Sequence, residues 1–114
     1  MGVVFTHVSL FHFRESSVFT KAILELLSDE EYTALQHRLM QNPTAGDLIK
    51  GGGGLRKIRC AAKGRGKSGG IRVIYYVATE TFIYLVTAYS KNKQETLTTK
   101  QLATLSEYVK KETL

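Results

Sequence analysis

Covalent and membrane restraints are almost missing from this chain. Its single cysteine, Cys60, cannot close an internal disulfide, which points to a reducing compartment and a cytoplasmic setting. Long apolar runs are missing too. Thr79-Glu80-Thr81 interrupts the region from Val73 to Val86, so no segment is expected to cross a bilayer and no membrane partner is expected. The sequence does not open on a basic leader with an apolar core and cleavage site, which argues against secretion. Met1-Gly2-Val3-Val4-Phe5-Thr6 fits the loose myristoylation pattern but is read as a starting methionine and a spacer before a strand. His7, His12 and His37 have no cysteine or carboxylate partners at ligand spacing, so neither a metal nor another cofactor is expected. No carboxylate dyad is evident, because Asp29-Glu30-Glu31 falls in the first turn of an expected helix, where it offsets the macrodipole. The most telling absence is of negative charge. Between Leu48 and Thr79 there is no Asp or Glu, while eight of the 16 basic residues fall there: Lys50, Arg56, Lys57, Arg59, Lys63, Arg65, Lys67 and Arg72.

The net charge of +6 therefore comes mostly from one local, glycine-rich block, and a block of this kind attracts phosphates, most naturally those of a nucleic acid. With 114 residues and 43% hydrophobic content, one globular domain over 1–114 is expected, with one core. Val3 to Phe13 alternates β-branched and aromatic residues as a strand does. Ser16 to Leu27 spaces Phe19, Ile23, Leu26 and Leu27 as a helix does. Ser28 and Glu31 form a capping box for a second helix carrying Tyr32, Leu35, Leu39 and Met40, which ends at Asn42 before the only proline, Pro43. After a glycine-rich turn from Asp47 to Gly54, strands are expected over Leu55 to Ala61, Ile71 to Ala78 and Thr81 to Tyr89. A last helix follows Thr98, with Leu102, Leu105, Tyr108 and Val109 as its stripe. The order β-α-α-β-β-β-α implies an α+β fold, a small curved antiparallel sheet with helices packed on one face and the other free to bind.

Ala61 to Ser68 looks like a phosphate-binding P-loop with its first glycine replaced. Gly69-Gly70 and a strand follow instead of a helix, so the pattern is read as a coincidence of Gly and Lys abundance. Cys60 falls where a strand residue should face the core, and is read as structural. The alternation of the cationic strands is more informative. Lys57 and Arg59 fall on one side of their strand, Arg72 can share that side from the next, and Thr87, Tyr89 and Lys91 can continue it on the third. Such a cluster would stabilise the extra negative charge of a pentavalent phosphorane. Crowded cations also favour a neutral lysine that can accept the proton of a ribose 2′-hydroxyl, and Tyr89 can stack on a base for about 1–3 kcal/mol.

Three segments carry a resemblance: Gly46-Asp47-Leu48-Ile49-Lys50, the run from Gly53 to Arg59, and the run from Lys63 to Tyr76. With Tyr84 to Asn92 and Leu97-Thr98, they resemble the RelE/HigB family of toxins, and the long Lys-Gly-Arg-Gly-Lys loop resembles its HigB-type branch. The resemblance covers roughly residues 28–105. It implies the toxin of a type II toxin–antitoxin module with a RelE-like fold, cutting messenger RNA in the ribosomal decoding site and held in check by a cognate antitoxin protein. By position, Lys57 resembles the family's proposed general base and Arg72 the arginine that holds the scissile phosphate. Arg59 adds charge to the same face, and Lys91 stands for a cation after the last strand. Arg56, Lys63, Arg65, Lys67 and Tyr89 are expected to bind RNA. Whether Lys63, Arg65 and Lys67 meet ribosomal RNA, message or antitoxin is open at this level. The stretch from Lys93 to Leu97 lacks the tyrosine that RelE carries after its last cation, so the general acid is open as well, with Tyr89 and Tyr108 as alternatives. Two other readings stand beside this one: a non-catalytic gyrase inhibitor similar to ParE, and a degenerate toxin that only binds RNA.

Overall fold

The structure, a computed structural model, describes residues 11–62, 70–94 and 96–113. Five strands form one sheet in the order β1-β5-β4-β3-β2, with β1 at His12–Glu15, β2 at Asp47–Leu48, β3 at Leu55–Cys60, β4 at Ile71–Thr79 and β5 at Phe82–Ser90. Three helices join it: α1 at Ser17–Leu26, α2 at Asp29–Gln41 and α3 at Thr99–Thr113. Of the strand expected over Val3 to Phe13, residues 1–10 lie outside the described residues. What is described, β1, runs parallel to β5 and makes the sheet mixed. The two-residue β2 is an element the sequence reading took for part of a turn. The other elements fall within a residue or two of their expected places.

Each helix starts where a side chain can satisfy its first amides. Ser16 Oγ accepts from the Phe19 amide at 2.9 Å. Ser28 and Glu31 bond reciprocally, at 3.1 and 2.8 Å, as the capping box requires. Thr98 and Gln101 repeat that arrangement at the start of α3, at 3.1 and 2.9 Å. Phe19, Ile23, Leu27, Leu35 and Leu39 are buried from α1, its C-cap and α2 against Ile58, Ile71, Val73, Tyr75, Ile83 and Leu85 of the sheet. Phe19 and Leu39 are wholly buried, each contributing about 1.5–3 kcal/mol through removal from water. Met40, expected on the same stripe, is exposed instead, because it lies one position round the helix from the buried Leu39.

The third helix lies on the other face. Its Val109, with Leu102, Leu105 and Tyr108 beside it, packs on Leu55, Ile74 and Val86, which alternate with the residues facing α1 and α2. That face is therefore shared between α3 and whatever the uncovered strand residues bind.

A bulge in β5 decides which residues those are. Ile74 pairs with Thr87 but Tyr75 pairs with Leu85, so Val86 is an extra residue with no partner across the ladder. Val86 and Thr87 consequently lie on the same face, and Tyr89 follows them there beside Arg72. The Val86 carbonyl accepts from the buried Ser16 hydroxyl at 2.6 Å, so the same oxygen atom caps α1 and satisfies the bulge. Ser16→Ala removes the cap and leaves that carbonyl orphaned. It should lower unfolding free energy by about 2–4 kcal/mol in denaturant titration, more than a cap alone is worth.

Candidate active site

Directly opposed residues of antiparallel strands point to the same side of a sheet. Arg59 of β3 opposes Arg72 of β4, and Arg72 opposes Tyr89 of β5, making one row across three strands. A second row runs from Asp47 of β2 through Lys57 and Ile74 to Thr87. The polar ends of these rows line a cleft of about 500 Å³ bounded by Asp47, Lys57, Arg59, Arg72, Lys91 and Thr96. Arg72 is only 6% exposed, whereas Arg59 and Lys91 reach solvent. Like charges opposed across a ladder repel, and a guanidinium stays charged even when buried. The cleft is thus a cationic cavity on rigid strands, complementary to an anion of matching size.

Lys91 enters the cleft from a tight turn. Its amide donates to the Gly70 carbonyl at 3.2 Å, and the buried Ser90 hydroxyl accepts from the Asn92 amide at 3.2 Å. The sequence-predicted catalytic set Lys57, Arg59, Arg72 and Lys91 is accordingly brought together. Not all of the expected RNA contacts join it. Arg56 projects from the other side of β3, where its Nη1 donates to the Gly46 carbonyl at 2.7 Å. Lys63, Arg65 and Lys67 lie outside the described residues. Asp47 and Thr96 were missed by sequence reasoning. No local pattern separates a two-residue strand from the turn that surrounds it.

The two tyrosines proposed for proton donation part company. Tyr108 packs edge-on to Tyr84, with ring centroids 6.0 Å apart, and does not line the cleft. Tyr89 stands beside Arg72, half-buried, and packs against the cluster of Leu55, Ile74, Val86 and Val109. Among the described residues, its buried hydroxyl has no hydrogen-bond partner. Burial pushes its pKa up, with Arg72 pulling the other way, so the phenol keeps its proton. Because an orphaned buried hydroxyl is a cost, Tyr89→Phe should leave stability unchanged or raise it by about 1 kcal/mol in denaturant titration.

Cys60 faces the α1/α2 side, half-buried, as expected of a structural residue. Burial pushes its thiol up from about 9 to about 11, outweighing the opposing pull of Arg38. The neutral thiol is favoured by folding, so its stabilisation is complete below about pH 9 and is lost as pH rises towards about 11. Iodoacetamide should label Cys60 of the folded protein far more slowly at pH 8 than it labels the denatured chain.

A family model described as the RelE toxin of the RelE/RelB toxin–antitoxin system matches residues 13–113. The chain belongs to this RelE toxin family. Among solved structures, it is similar to the E. coli toxin RelE, as an arginine-to-alanine double mutant in the free state. That match has a TM-score of 0.54 and 14% identity, and covers 87% of this chain and 96% of the other. At that identity the likeness speaks for the fold, which is the RelE-like α+β architecture expected from the sequence.

Proposed function

We propose that this toxin is an mRNA endoribonuclease of the HigB-like branch. In this reading it cuts translated messages in the decoding site of the ribosome, arrests translation and growth, and is neutralised by a cognate antitoxin in the cytoplasm. The observation that carries the reading is the alignment of Lys57, Arg59, Arg72 and Lys91 around one cleft on the sheet. A surface that merely attracts RNA has no need to hold an arginine at 6% exposure between two rigid strands.

In the proposed reaction the ribose 2′-oxygen attacks the adjacent phosphorus, and the negative charge that accumulates on the phosphorane meets the cations of the cleft. Arg72 on the central strand holds the scissile phosphate, Arg59 and Lys91 flank it, and Lys57 borders the 2′-hydroxyl. These side chains supply the charge stabilisation, so the step is metal-independent and is classed as RNA cleavage to a cyclic phosphate. Alignment of message and cleft falls to the ribosome, with ribosomal RNA docked on the basic surface, because positioning supplies a large part of the rate. Arg56, tied to the Gly46 carbonyl, shapes the cleft from behind.

Removing one aligned donor from such a site costs about 10²–10³ in rate. Arg72→Ala should therefore reduce cleavage of a ribosome-bound message by that factor and relieve growth arrest, with an unchanged circular dichroism spectrum. Arg72→Lys, which keeps the charge but not the planar fork, should recover only part of the rate. Mapping of 5′ ends in cells expressing the wild type should show new ends inside translated regions. Arrest with intact messages would point instead to a protein target such as DNA gyrase.

A further inference from the structure

Among the described residues, the cleft contains one acid, Asp47, and the fold goes to some length to hold it there. The residue before it is gripped from two sides. The Gly46 amide donates to Tyr75 Oη at 2.8 Å, and that hydroxyl donates in turn to the Pro43 carbonyl at 2.7 Å. From the far side of β3, Arg56 Nη1 donates to the Gly46 carbonyl at 2.7 Å. A side chain at position 46 is excluded, because a Cβ there would sit 2.8 Å from the Lys57 carbonyl oxygen and 2.8 Å from Tyr75 Cε1. Asp47 then pairs with Lys57 across the ladder, so the two side chains leave the sheet side by side on the face of Arg59 and Arg72. Among the described residues no hydrogen bond or ion pair occupies the Asp47 carboxylate. Asp47 is exposed at the rim of the cleft, so its carboxylate is open to a substrate while the backbone before it is held from behind.

We propose that Asp47 is a catalytic residue, the general base that takes the proton from the 2′-hydroxyl, while Lys57 acts as a cation beside it. This rests on the RNA-cleavage reading above. A carboxylate is already in its basic form at neutral pH, whereas an ammonium group must first lose a proton. As the 2′-proton moves to Asp47, the bond from O2′ to phosphorus forms and the bond from phosphorus to O5′ breaks. The leaving 5′-oxygen takes a proton from water, which protonated Asp47 then replaces. The products are a 2′,3′-cyclic phosphate and a 5′-hydroxyl. The charged and titratable groups around Asp47 are Lys57 and Arg59 from β3, Arg72 from β4 and Lys91 after β5, with Tyr75 and Arg56 behind its backbone.

The test is single-turnover cleavage of a defined message on purified ribosomes, across pH, for wild type, Asp47→Asn and Lys57→Arg. Asp47→Asn should lose about 10²–10⁴-fold in rate and bind the programmed ribosome at least as tightly as wild type, since it removes a negative charge from a cationic cleft. It should also lose the fall in rate that wild type shows at acid pH. Lys57→Arg, which keeps charge but cannot serve as a base, should lose rate through altered geometry yet keep the acid limb of the wild-type profile. Cleavage by Asp47→Asn within threefold of wild type, or an acid limb that survives in it, would overturn the assignment while leaving the RNase reading intact. A wild-type protein that cuts no message under any of these conditions would remove both.

Discussion

The hydrogen bond from the Ser16 hydroxyl to the Val86 carbonyl is the constraint on which the functional face depends. Without the bulge at Val86, strict alternation along β5 would send Tyr89 to the α1/α2 core and bring Ala88 to the cationic side. An extra residue in a central strand leaves a ladder group unpaired, and a buried carbonyl without a partner is unfavourable. Ser16 removes that cost with the atom that already starts α1. Helix initiation, bulge stability and the composition of the cleft wall are thereby coupled through one oxygen, and the neighbouring Ser16 amide adds a bond to the Leu85 carbonyl at 3.0 Å.

The cleft itself works against the fold. Arg59 faces Arg72 across β3 and β4, Lys57 lies one pair further along the same face, and Lys91 closes the end. Repulsion among these groups, and the partial desolvation of Arg72, count against stability and are offset in part by packing. The offset lies in the strands that carry them. Ile71, Val73, Ile74 and Tyr75 are all fully buried around Arg72, so the arginine cannot relax away from its neighbours without disturbing two packed layers. Rigidity of this kind keeps the cations converged before an anion arrives, which is what electrostatic preorganisation requires.

Much of this was legible in the residues. The capping box at Ser28 and Glu31, the stop before Pro43, and the two-residue period of Lys57 and Arg59 are local signals with local physical causes, and each appears where its chemistry predicts. What could not be read depends on partners distant in sequence. The parallel pairing of β1 with β5 joins residues about seventy positions apart. Tyr89 was given the right face, although its route there is a bulge that no alternation rule contains. Its buried hydroxyl and packed ring follow from α3, whose side of the sheet was not evident from its own stripe. Asp47 was legible only as part of a turn, because a two-residue strand has no period to detect.

The same contrast explains why the acidic component of the cleft is easily overlooked. Along the chain, Asp47 stands just outside the acid-free block from Leu48 to Thr79 and reads as its boundary. In the sheet, β2 folds back on β3 and returns that boundary residue to the rim of the cationic cleft, beside Lys57. Tyr75 connects the two descriptions. Its ring is buried in the core under α1 and α2 while its hydroxyl reaches the edge strand, bonding both Pro43 and Gly46. Core packing on one face therefore helps to set the position of a charged side chain on the other. A strand only two residues long has too few ladder bonds to hold itself in place. It persists here because the tyrosine, Arg56 and the bare Cα of Gly46 supply from behind the fixation that the ladder does not.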